Sequence, residues 1–490
     1  MKKIICLLLA VITAVSVIGC AGNTAETNEN SNETTSAAAA SNEGDLTTTD
    51  VTPGDETAGE QTKETTSQPD PQTAAALENL KPADTFTFGT WEQDGDSGIG
   101  AEPITWIVLR QDVGKMLVLS EKVLEYMCFK KGTDENKYPR SLYDESDLRA
   151  FLIGDFYNNA FTDAEKAMIL TSKITTKYKD EHYNELTFET EDKVFALSKD
   201  ESARYVSGVG TNVYGIPTKR VDADNPYGTS SISGVNGVDK AMSWWLRDMG
   251  TDSNKYAAYV RASTSRKYND DEEVYDRAGV RPAMWIVYNE SDMNGYAKGE
   301  VQPKEDAELN ANIAALKVGG KLQFGVYDDN LYSVDGFNPI TWTVYNEDEN
   351  SFYILSDSIT GNGYSVFDND KDAEDTSWAE SYLRKYINSA EFLDMTFTPQ
   401  EKAKLIIQHR ITTGDSDRDG GAQTDDLLFV PDVSDVEKYP DLFSKSIGHK
   451  YWLRSQSSFA PYIAYISSGS VSSARPTEKY GIRLMARIAI

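Results

Sequence analysis

A set of short motifs that occurs twice constrains this chain more than any other feature of its sequence. The motif Trp244-Trp245-Leu246-Arg247 recurs as Tyr451-Trp452-Leu453-Arg454. Three earlier motifs recur at one constant offset: Phe88-Gly89, Pro103-Ile104-Thr105-Trp106 and Leu119-Ser120 return as Phe324-Gly325, Pro339-Ile340-Thr341-Trp342 and Leu355-Ser356. Because chance does not hold register over this length, the sequence predicts two similar domains in tandem. We place them at residues 84–288 and 317–490, with a polar linker at 289–316.

Each predicted domain mixes strands and helices. Short apolar runs rich in β-branched and aromatic residues predict buried strands at residues 104–109 and 116–119, and later strands at 257–261 and 280–288. Capping boxes predict helix starts, and they occur at Thr162 to Glu165, Thr398 to Glu401 and Ser377 to Glu380. Since strands and helices do not alternate regularly, the predicted fold class is α+β.

The N-terminus has the pattern of an export signal. Lys2 and Lys3 precede an apolar run at residues 4–18, which is too short to span a membrane. The run ends in Val17-Ile18-Gly19-Cys20, which resembles a bacterial lipobox. That resemblance implies a signal peptide at residues 1–19 and acylation of the Cys20 thiol, whereas an ordinary secretory signal is the alternative. We therefore expect a protein anchored through lipid on the extracellular face of the cell membrane.

The segment that follows the signal is predicted to be a disordered stalk. Residues 20–83 are rich in Thr, Ser, Asn and Glu, and no aromatic residue precedes Phe86. Such a segment cannot bury enough apolar surface to offset its chain entropy. The stalk would hold the two domains away from the bilayer.

Charge and composition exclude several classes of function. The formal net charge is −30, from 78 acidic and 48 basic residues, which argues against nucleic acid as a partner. Past the signal and Cys20 the only cysteine is Cys128, and the three histidines have no zinc-binding spacing. Because the sequence also lacks a nucleophile elbow and a phosphate-binding Gly-rich loop, no catalytic residue is predicted.

One local motif has the spacing of an EF-hand-type calcium loop. Candidate carboxylate ligands stand at places 1, 3, 5 and 12, and a backbone carbonyl at place 7; these are Asp415, Asp417, Asp419, Asp426 and Gly421. Gly420 at place 6 would allow the sharp turn. A solvated acidic turn is the alternative, because Asp426 has a shorter arm than the usual Glu and the flanks predict strands.

The repeated motifs carry a resemblance to a known family. Ile-Thr-Trp, Leu-Ser, Trp-Trp-Leu-Arg and Gly279-Val280-Arg281-Pro282 together resemble a domain of unknown function, family 6273, that occurs in bacterial surface proteins and lipoproteins. The closing pattern is an aromatic-Trp turn, a strand and then Gly-Val-Arg. It is similar to the end of C-type-lectin-like domains, including relatives of formylglycine-generating enzymes. This similarity implies two tandem C-type-lectin-like domains.

The aromatic and arginine residues of these motifs have two interpretations. As a site, they would offer aromatic faces to a sugar or peptide and guanidinium groups to a carboxylate. As packing positions, they would anchor the core, with the arginines donating to loop carbonyls. We favour packing because the motif is present in both copies. The candidate ligand-binding residues are Trp244, Trp245, Arg247, Arg281, Trp452, Arg454 and Arg483.

The expected function is binding or adhesion at the cell surface, and not catalysis. A glycan or cell-wall polymer is the favoured ligand class, and an envelope protein is a further candidate partner. Two alternatives stay open: an enzyme with a site in the Gly- and Ser-rich loop at residues 208–240, and a solute-binding lipoprotein.

Overall fold

The computed structural model describes residues 71–132, 142–180, 185–206, 214–225, 240–250, 255–262, 270–327, 337–358, 360–368, 376–412, 423–443, 450–459 and 461–490. We call the described residues up to 316 the first half and those from 317 the second half. The signal peptide, Cys20 and the stalk up to residue 70 lie outside the described residues. In the described part, no helix has both the length and the apolar character that a membrane span requires.

The fold is a mixture of helices and mainly antiparallel strands, as the sequence predicts. The strands of the first half are β1 (Thr85–Trp91), β2 (Glu102–Gln111), β3 (Lys115–Ser120), β4 (Lys122–Val123), β5 (Glu125–Cys128), β6 (Ser172–Lys179), β7 (Glu185–Asp192), β8 (Ile216–Pro217), β9 (Trp244–Met249), β10 (Tyr256–Val260), β11 (Asp270–Glu273), β12 (Arg277–Val280) and β13 (Ala283–Val287). Those of the second half are β14 (Lys321–Tyr327), β15 (Asn338–Asp348), β16 (Ser351–Ser356), β17 (Thr360–Val366), β18 (Gln408–Ile411), β19 (Gln423–Asp426), β20 (Leu428–Phe429), β21 (Tyr451–Gln456), β22 (Ile463–Ser467), β23 (Ser470–Ala474), β24 (Lys479–Ile482) and β25 (Met485–Ala489).

The helices are short. In chain order they are α1 (Pro71–Glu78), α2 (Asp147–Phe151), α3 (Tyr157–Ala160), α4 (Asp163–Met168), α5 (Lys199–Glu201), α6 (Lys219–Asp224), α7 (Glu290–Ala297), α8 (Ala307–Ala314), α9 (Tyr382–Ile387), α10 (Ala390–Thr396), α11 (Pro399–Lys404), α12 (Val433–Lys438) and α13 (Pro440–Phe443). Two π-helical turns, Leu152–Phe156 and Ser202–Val206, continue α2 and α5.

Two sheets form the framework of the first half. One has the strand order β1-β2-β3-β13 and the other β11-β10-β9-β12-β5. Within the second sheet, β9 and β12 run parallel and the remaining pairs are antiparallel. The buried core takes side chains from both sheets, such as Trp106 and Trp245. The Trp244 to Met249 strand is buried along its whole length, so both tryptophans lie inside the protein.

The second half has a similar pair of sheets, with one additional strand in the first of them. Its sheets have the orders β14-β15-β16-β25-β20 and β23-β22-β21-β24-β17. Trp106 faces Ser120 in the first half and Trp342 faces Ser356 in the second, with a β-bulge at the same place in each pair. The indole N–H groups of Trp106 and Trp342 donate to the carbonyls of Phe88 and Phe324. The repeated Ile-Thr-Trp and Leu-Ser motifs therefore make the same strand pairing and the same indole hydrogen bond in both halves.

The predicted helix starts are correct in two of three cases. Thr162 with Glu165 and Thr398 with Glu401 form complete capping boxes. The prediction of a capping box at Ser377 is wrong, because α9 begins later, with Ser381 as its N-cap. The chain turns first at Trp378, whose carbonyl accepts the N–H of Ser381, so the helix cannot start at Ser377.

The strand predictions hold with one exception. Strands β2 and β3 cover the predicted runs, and β10 covers the run at 257–261 except for Arg261. The run predicted as one strand at residues 280–288 is two strands, β12 and β13, which belong to different sheets. The break falls at Arg281-Pro282, where proline lacks the N–H that a continuous ladder would need.

Helices also occupy segments that the sequence analysis assigns to the stalk and the linker. Helix α1 falls in the expected stalk, yet Leu77 and Leu80 are buried in the first-half core. Helix α8 falls in the expected linker, yet Leu309 and Ile313 are buried in the second-half core. Averaged composition does not reveal these helices, because two apolar residues in each segment are enough to dock it.

A bifurcated glutamate joins helix and sheet at the same place in both halves. One carboxylate oxygen of Glu165 closes its capping box and the other accepts the N–H of Gly89 at 2.8 Å. Glu401 and Gly325 make the same contact at 2.8 Å. Gly89 has φ +70°, and a Cβ there would lie 2.6 Å from the Ala160 carbonyl and the Phe161 ring. This crossing therefore requires glycine.

We expect Gly89→Ala to destabilise the protein by more than the backbone strain of an alanine with positive φ. Gly100 is a matched control, because it has φ +84° but nothing within 4 Å of an added Cβ. Gly100→Ala should lower the free energy of unfolding by about 1 kcal/mol, the strain of a left-handed alanine. Gly89→Ala should cost roughly 2 kcal/mol more because of the clash. Equal losses in urea denaturation would show that Gly89 is not crowded.

Candidate functional site

The tryptophans expected as ligand contacts lie in the interior. Trp244, Trp245 and Trp452 are at most 1% exposed. The indole N–H of Trp245 donates to the Met127 carbonyl at 2.8 Å, and that of Trp452 donates to the Ser365 carbonyl at 2.7 Å. These bonds tie β9 to β5 and β21 to β17. A ligand could reach these rings only by opening the core.

The arginines that follow the tryptophans are also buried and hydrogen-bonded. Arg247 donates to the carbonyls of Thr175 and Ala196, each at 3.0 Å, and makes a two-point contact with Glu201. Arg454 donates to the Val430 carbonyl at 2.7 Å and pairs with two carboxylates, Asp432 and Asp435. The guanidinium groups thus act as internal cross-links.

The second pair of arginines joins the two sheets of each half. Arg281 donates to the Ser120 carbonyl at 2.8 and 3.0 Å, and Arg483 donates to the Ser356 carbonyl at 2.8 Å. Arg281 also lies 5.0 Å from the centroid of the Trp244 ring. This geometry favours the packing interpretation of the candidate residues. Their role in ligand binding stays an untested prediction.

The structure places Asp426, the last residue of the candidate calcium loop, in a buried ion pair. Its carboxylate accepts from Arg384 Nε at 2.6 Å, Trp378 Nε1 at 2.9 Å and Thr424 Oγ1 at 2.7 Å. Asp192 and Arg149 form the equivalent buried pair in the first half, at 2.6 Å. Asp426 is thus a structural carboxylate. Asp415, Asp417, Asp419 and Gly421 lie outside the described residues.

A different set of carboxylates could hold a divalent cation. Oxygens of Glu92, Asp94 and Glu102 lie within 4.8 Å of one another at the turn between β1 and β2. Glu92 and Glu102 already accept backbone N–H bonds from Gly95 and Gln93. Half-exposed acidic groups commonly cluster without an ion. This cluster borders a cleft of about 260 Å³ that Thr218 and Lys219 also line.

The larger cleft, of about 400 Å³, lies where the two halves meet. The first half contributes parts of β2, β3, β6, β9, β13, α5 and the π-helical turn, and the second half contributes α10. Only residues 214–225 and 240 of the loop at 208–240 are described, and they do not line this cleft. We call it the junction cleft.

Two arginines of the first half fix α10 against the junction cleft. Arg110 donates to the Asp394 carbonyl and, at 2.9 Å, to the Tyr205 hydroxyl. Arg204 donates through Nε to the Met395 carbonyl at 2.7 Å. Both acceptors are in the last turn of α10, whose free carbonyls favour cations. The π-helical turn that carries Arg204 and Tyr205 therefore aligns the two halves.

Burial changes the acid–base properties of several groups in the junction cleft. Burial raises the pKa of Asp248, although Arg247 and the backbone N–H groups of Lys177 and Lys199 act in the opposite direction. Burial lowers the pKa of Lys115, and Asp112 opposes this effect. Such perturbed groups gathered in a cleft are typical of functional sites. The cleft is therefore our candidate site.

Of the residues that line this cleft, only Arg247 is a candidate ligand-binding residue in the sequence. The remaining residues come from separate strands and helices, and none forms a local motif. One signal was available: Asp248 stands where the second copy has Ser455. Asp248 accepts the N–H of Lys199, as Ser455 accepts that of Val433, but Asp248 also binds the N–H of Lys177 in β6. The substitution thus anchors the β6–β7 hairpin.

The site belongs to an α+β protein whose two halves enclose a charged cleft. Residues 113–288 match the family model of a domain of unknown function, DUF6273. This match covers most of the first half and confirms the expected domain of unknown function there. No curated protein and no solved structure matches the chain significantly.

The paired carboxylates allow a direct test of the role of Asp426. We expect Asp192→Ala and Asp426→Ala each to lower the free energy of unfolding by roughly 2–4 kcal/mol, because each leaves a partly buried arginine unpaired. Urea denaturation should give the same losses in millimolar calcium and in EDTA. The first half has no candidate calcium loop, so Asp192→Ala is the control. A loss at Asp426 that appears only with calcium would make Asp426 a calcium ligand.

Proposed function

We propose that the chain is a lipid-anchored binding protein of the bacterial cell surface. The support is the charged n-region, the apolar run and the lipobox-like Val17-Ile18-Gly19-Cys20. The acidic, Thr- and Ser-rich segment after Cys20 would act as a spacer. In this proposal the folded part faces the outside of the cell and meets ligands of the envelope.

We also propose that the folded part is a tandem pair of one domain of C-type-lectin-like type. The duplication is supported by matching strand registers, by matching indole bonds and by the two ion pairs Arg149–Asp192 and Arg384–Asp426. The lectin-like type rests on the sequence resemblance of the closing motifs. Each half has its own pair of sheets, so neither half needs strands of the other to complete a sheet.

The proposed ligand site is the junction cleft, and the observation that carries this proposal is the convergence of polar groups from both halves on one cleft of about 400 Å³. Ligand sites are commonly concave, are located between domains and contain a few fixed polar groups. Arg110 and Arg204 of the first half donate to carbonyls of α10 in the second half. Because these bonds hold the two walls of the cleft in position, binding would require little rearrangement.

A cell-wall polymer or glycan is the proposed ligand class. Tyr382 and Tyr386 form a stacked pair on α9, with centroids 5.9 Å apart and planes at 5°. Neither tyrosine lines the junction cleft, but the Tyr386 ring packs against Phe392 of α10, with centroids 5.1 Å apart, and α10 forms one wall of the cleft. Partly exposed aromatic faces near polar groups suit the apolar faces and hydroxyls of sugars.

Blocking the cleft should abolish binding to envelope material. Thr171 lines the junction cleft and is exposed, so Thr171→Trp would place a bulky side chain in the cleft without replacing a buried residue. Thr187→Trp is the matched control on the exposed face of β7, outside the cleft. In cosedimentation with purified bacterial cell walls, we expect the full chain and Thr187→Trp to be retained and Thr171→Trp to be lost. Equal retention of both variants, or no retention of the full chain, would contradict the proposal.

A further inference from the structure

Most charged groups that line the junction cleft neutralise one another. Arg110 pairs with Asp112 at 2.9 Å, Lys177 with Asp200 at 2.6 Å, and Arg247 with Glu201. Lys173 pairs with Glu189 and Asp394 pairs with Lys402. Asp248 is held by two backbone N–H groups. These groups have their charges satisfied within the protein.

Lys115 is an exception on the wall of the first half. Its ammonium lies 4.6 Å from the centroid of the Trp285 ring and makes no hydrogen bond or ion pair with any residue in the described ranges. Asp112 is near enough to raise its pKa but is engaged by Arg110. The cleft thus presents a partly desolvated cation, beside an aromatic face, that an anionic group could neutralise.

Glu391 is the corresponding exception on the wall of the second half. It is exposed and, among the described residues, has neither an ion-pair nor a hydrogen-bond partner. It stands on α10 one turn before Asp394, on the same helix face. Asp394 is close enough to Lys115 to act on its pKa. A carboxylate and an ammonium that have no charged partner among the described residues therefore line the same cleft from opposite halves.

We propose that the junction cleft recognises a zwitterionic group, with a carboxylate of the ligand on Lys115 and an ammonium of the ligand on Glu391. The matching chemical class is a short peptide or amino acid with both groups free. This inference rests on the proposed function and specifies its ligand. The protein itself is strongly acidic, with a net charge of −30, so a purely anionic polymer would be repelled at long range.

The test measures which charged end of a peptide the cleft requires. The full-length chain is immobilised and exposed to a pool of random tripeptides in four forms: free, N-acetylated, C-amidated and capped at both ends. Retained peptides are counted by mass spectrometry. We expect the free pool to be retained at least ~10-fold more than the doubly capped pool, the gain expected from charge-assisted contacts in a partly dry cleft.

Two substitutions assign the two ends separately. Lys115→Met should remove the preference for a free carboxylate and keep that for a free amine, and Glu391→Gln should do the reverse. Lys115→Arg should keep both preferences because it keeps the charge. Lys193→Met is the matched control, since the Lys193 ammonium also lies near an aromatic ring, 5.4 Å from the centroid of Tyr157, but is outside the cleft. Melting temperatures establish that each variant is folded.

The results separate this inference from the proposed function. Equal retention of free and doubly capped peptides, or no retention of any pool, overturns the zwitterion inference. If cell walls are then still bound by the full chain and lost in Thr171→Trp, the cleft remains the ligand site and uses other chemistry. A Lys115→Met variant that keeps the carboxylate preference also overturns the inference.

Discussion

A guanidinium group buried in a protein interior needs hydrogen-bond acceptors, and the fold depends on meeting this need at equivalent places in both halves. Arg281 and Arg483 bridge from one sheet to the carbonyls at the end of a strand in the other sheet. Arg247 and Arg454 cross-link the loop before a short helix to the carboxylates of that helix. Since these contacts use backbone carbonyls and internal carboxylates as acceptors, they cross-link the interior of each half.

Much of this framework could be predicted from the sequence because the same short motifs occur in both halves. Repeated motifs located both halves, and the Ile-Thr-Trp and Leu-Ser motifs correspond to β2, β3, β15 and β16. Composition was a poorer guide at the boundaries. Two leucines near the end of the expected stalk, Leu77 and Leu80, are buried in the core, although the averaged polarity of the segment gave no sign of it. A single proline, Pro282, divided an expected strand between two sheets.

The candidate site was hidden for a physical reason. Motifs common to both halves mark residues that serve packing, whereas the residues that line the junction cleft, with the exception of Arg247, lie outside those motifs. Lys115 and Ser351 occupy equivalent positions, because each pairs with a residue near the end of the neighbouring strand, β13 or β25. Trp285 and Arg487 occupy equivalent positions on those two strands. The contacts of Arg110 and Arg204 with α10 join residues far apart in the chain. No local pattern reports such contacts.

The most direct test of the account is hydrogen–deuterium exchange of the full-length chain with and without purified bacterial cell walls. We expect slower exchange on binding in residues 170–177 of the first half and residues 390–396 of the second, because both segments form walls of the junction cleft. Slower exchange confined to residues 92–105 and 214–225, beside the smaller cleft, would contradict it, as would exchange that cell walls leave unchanged.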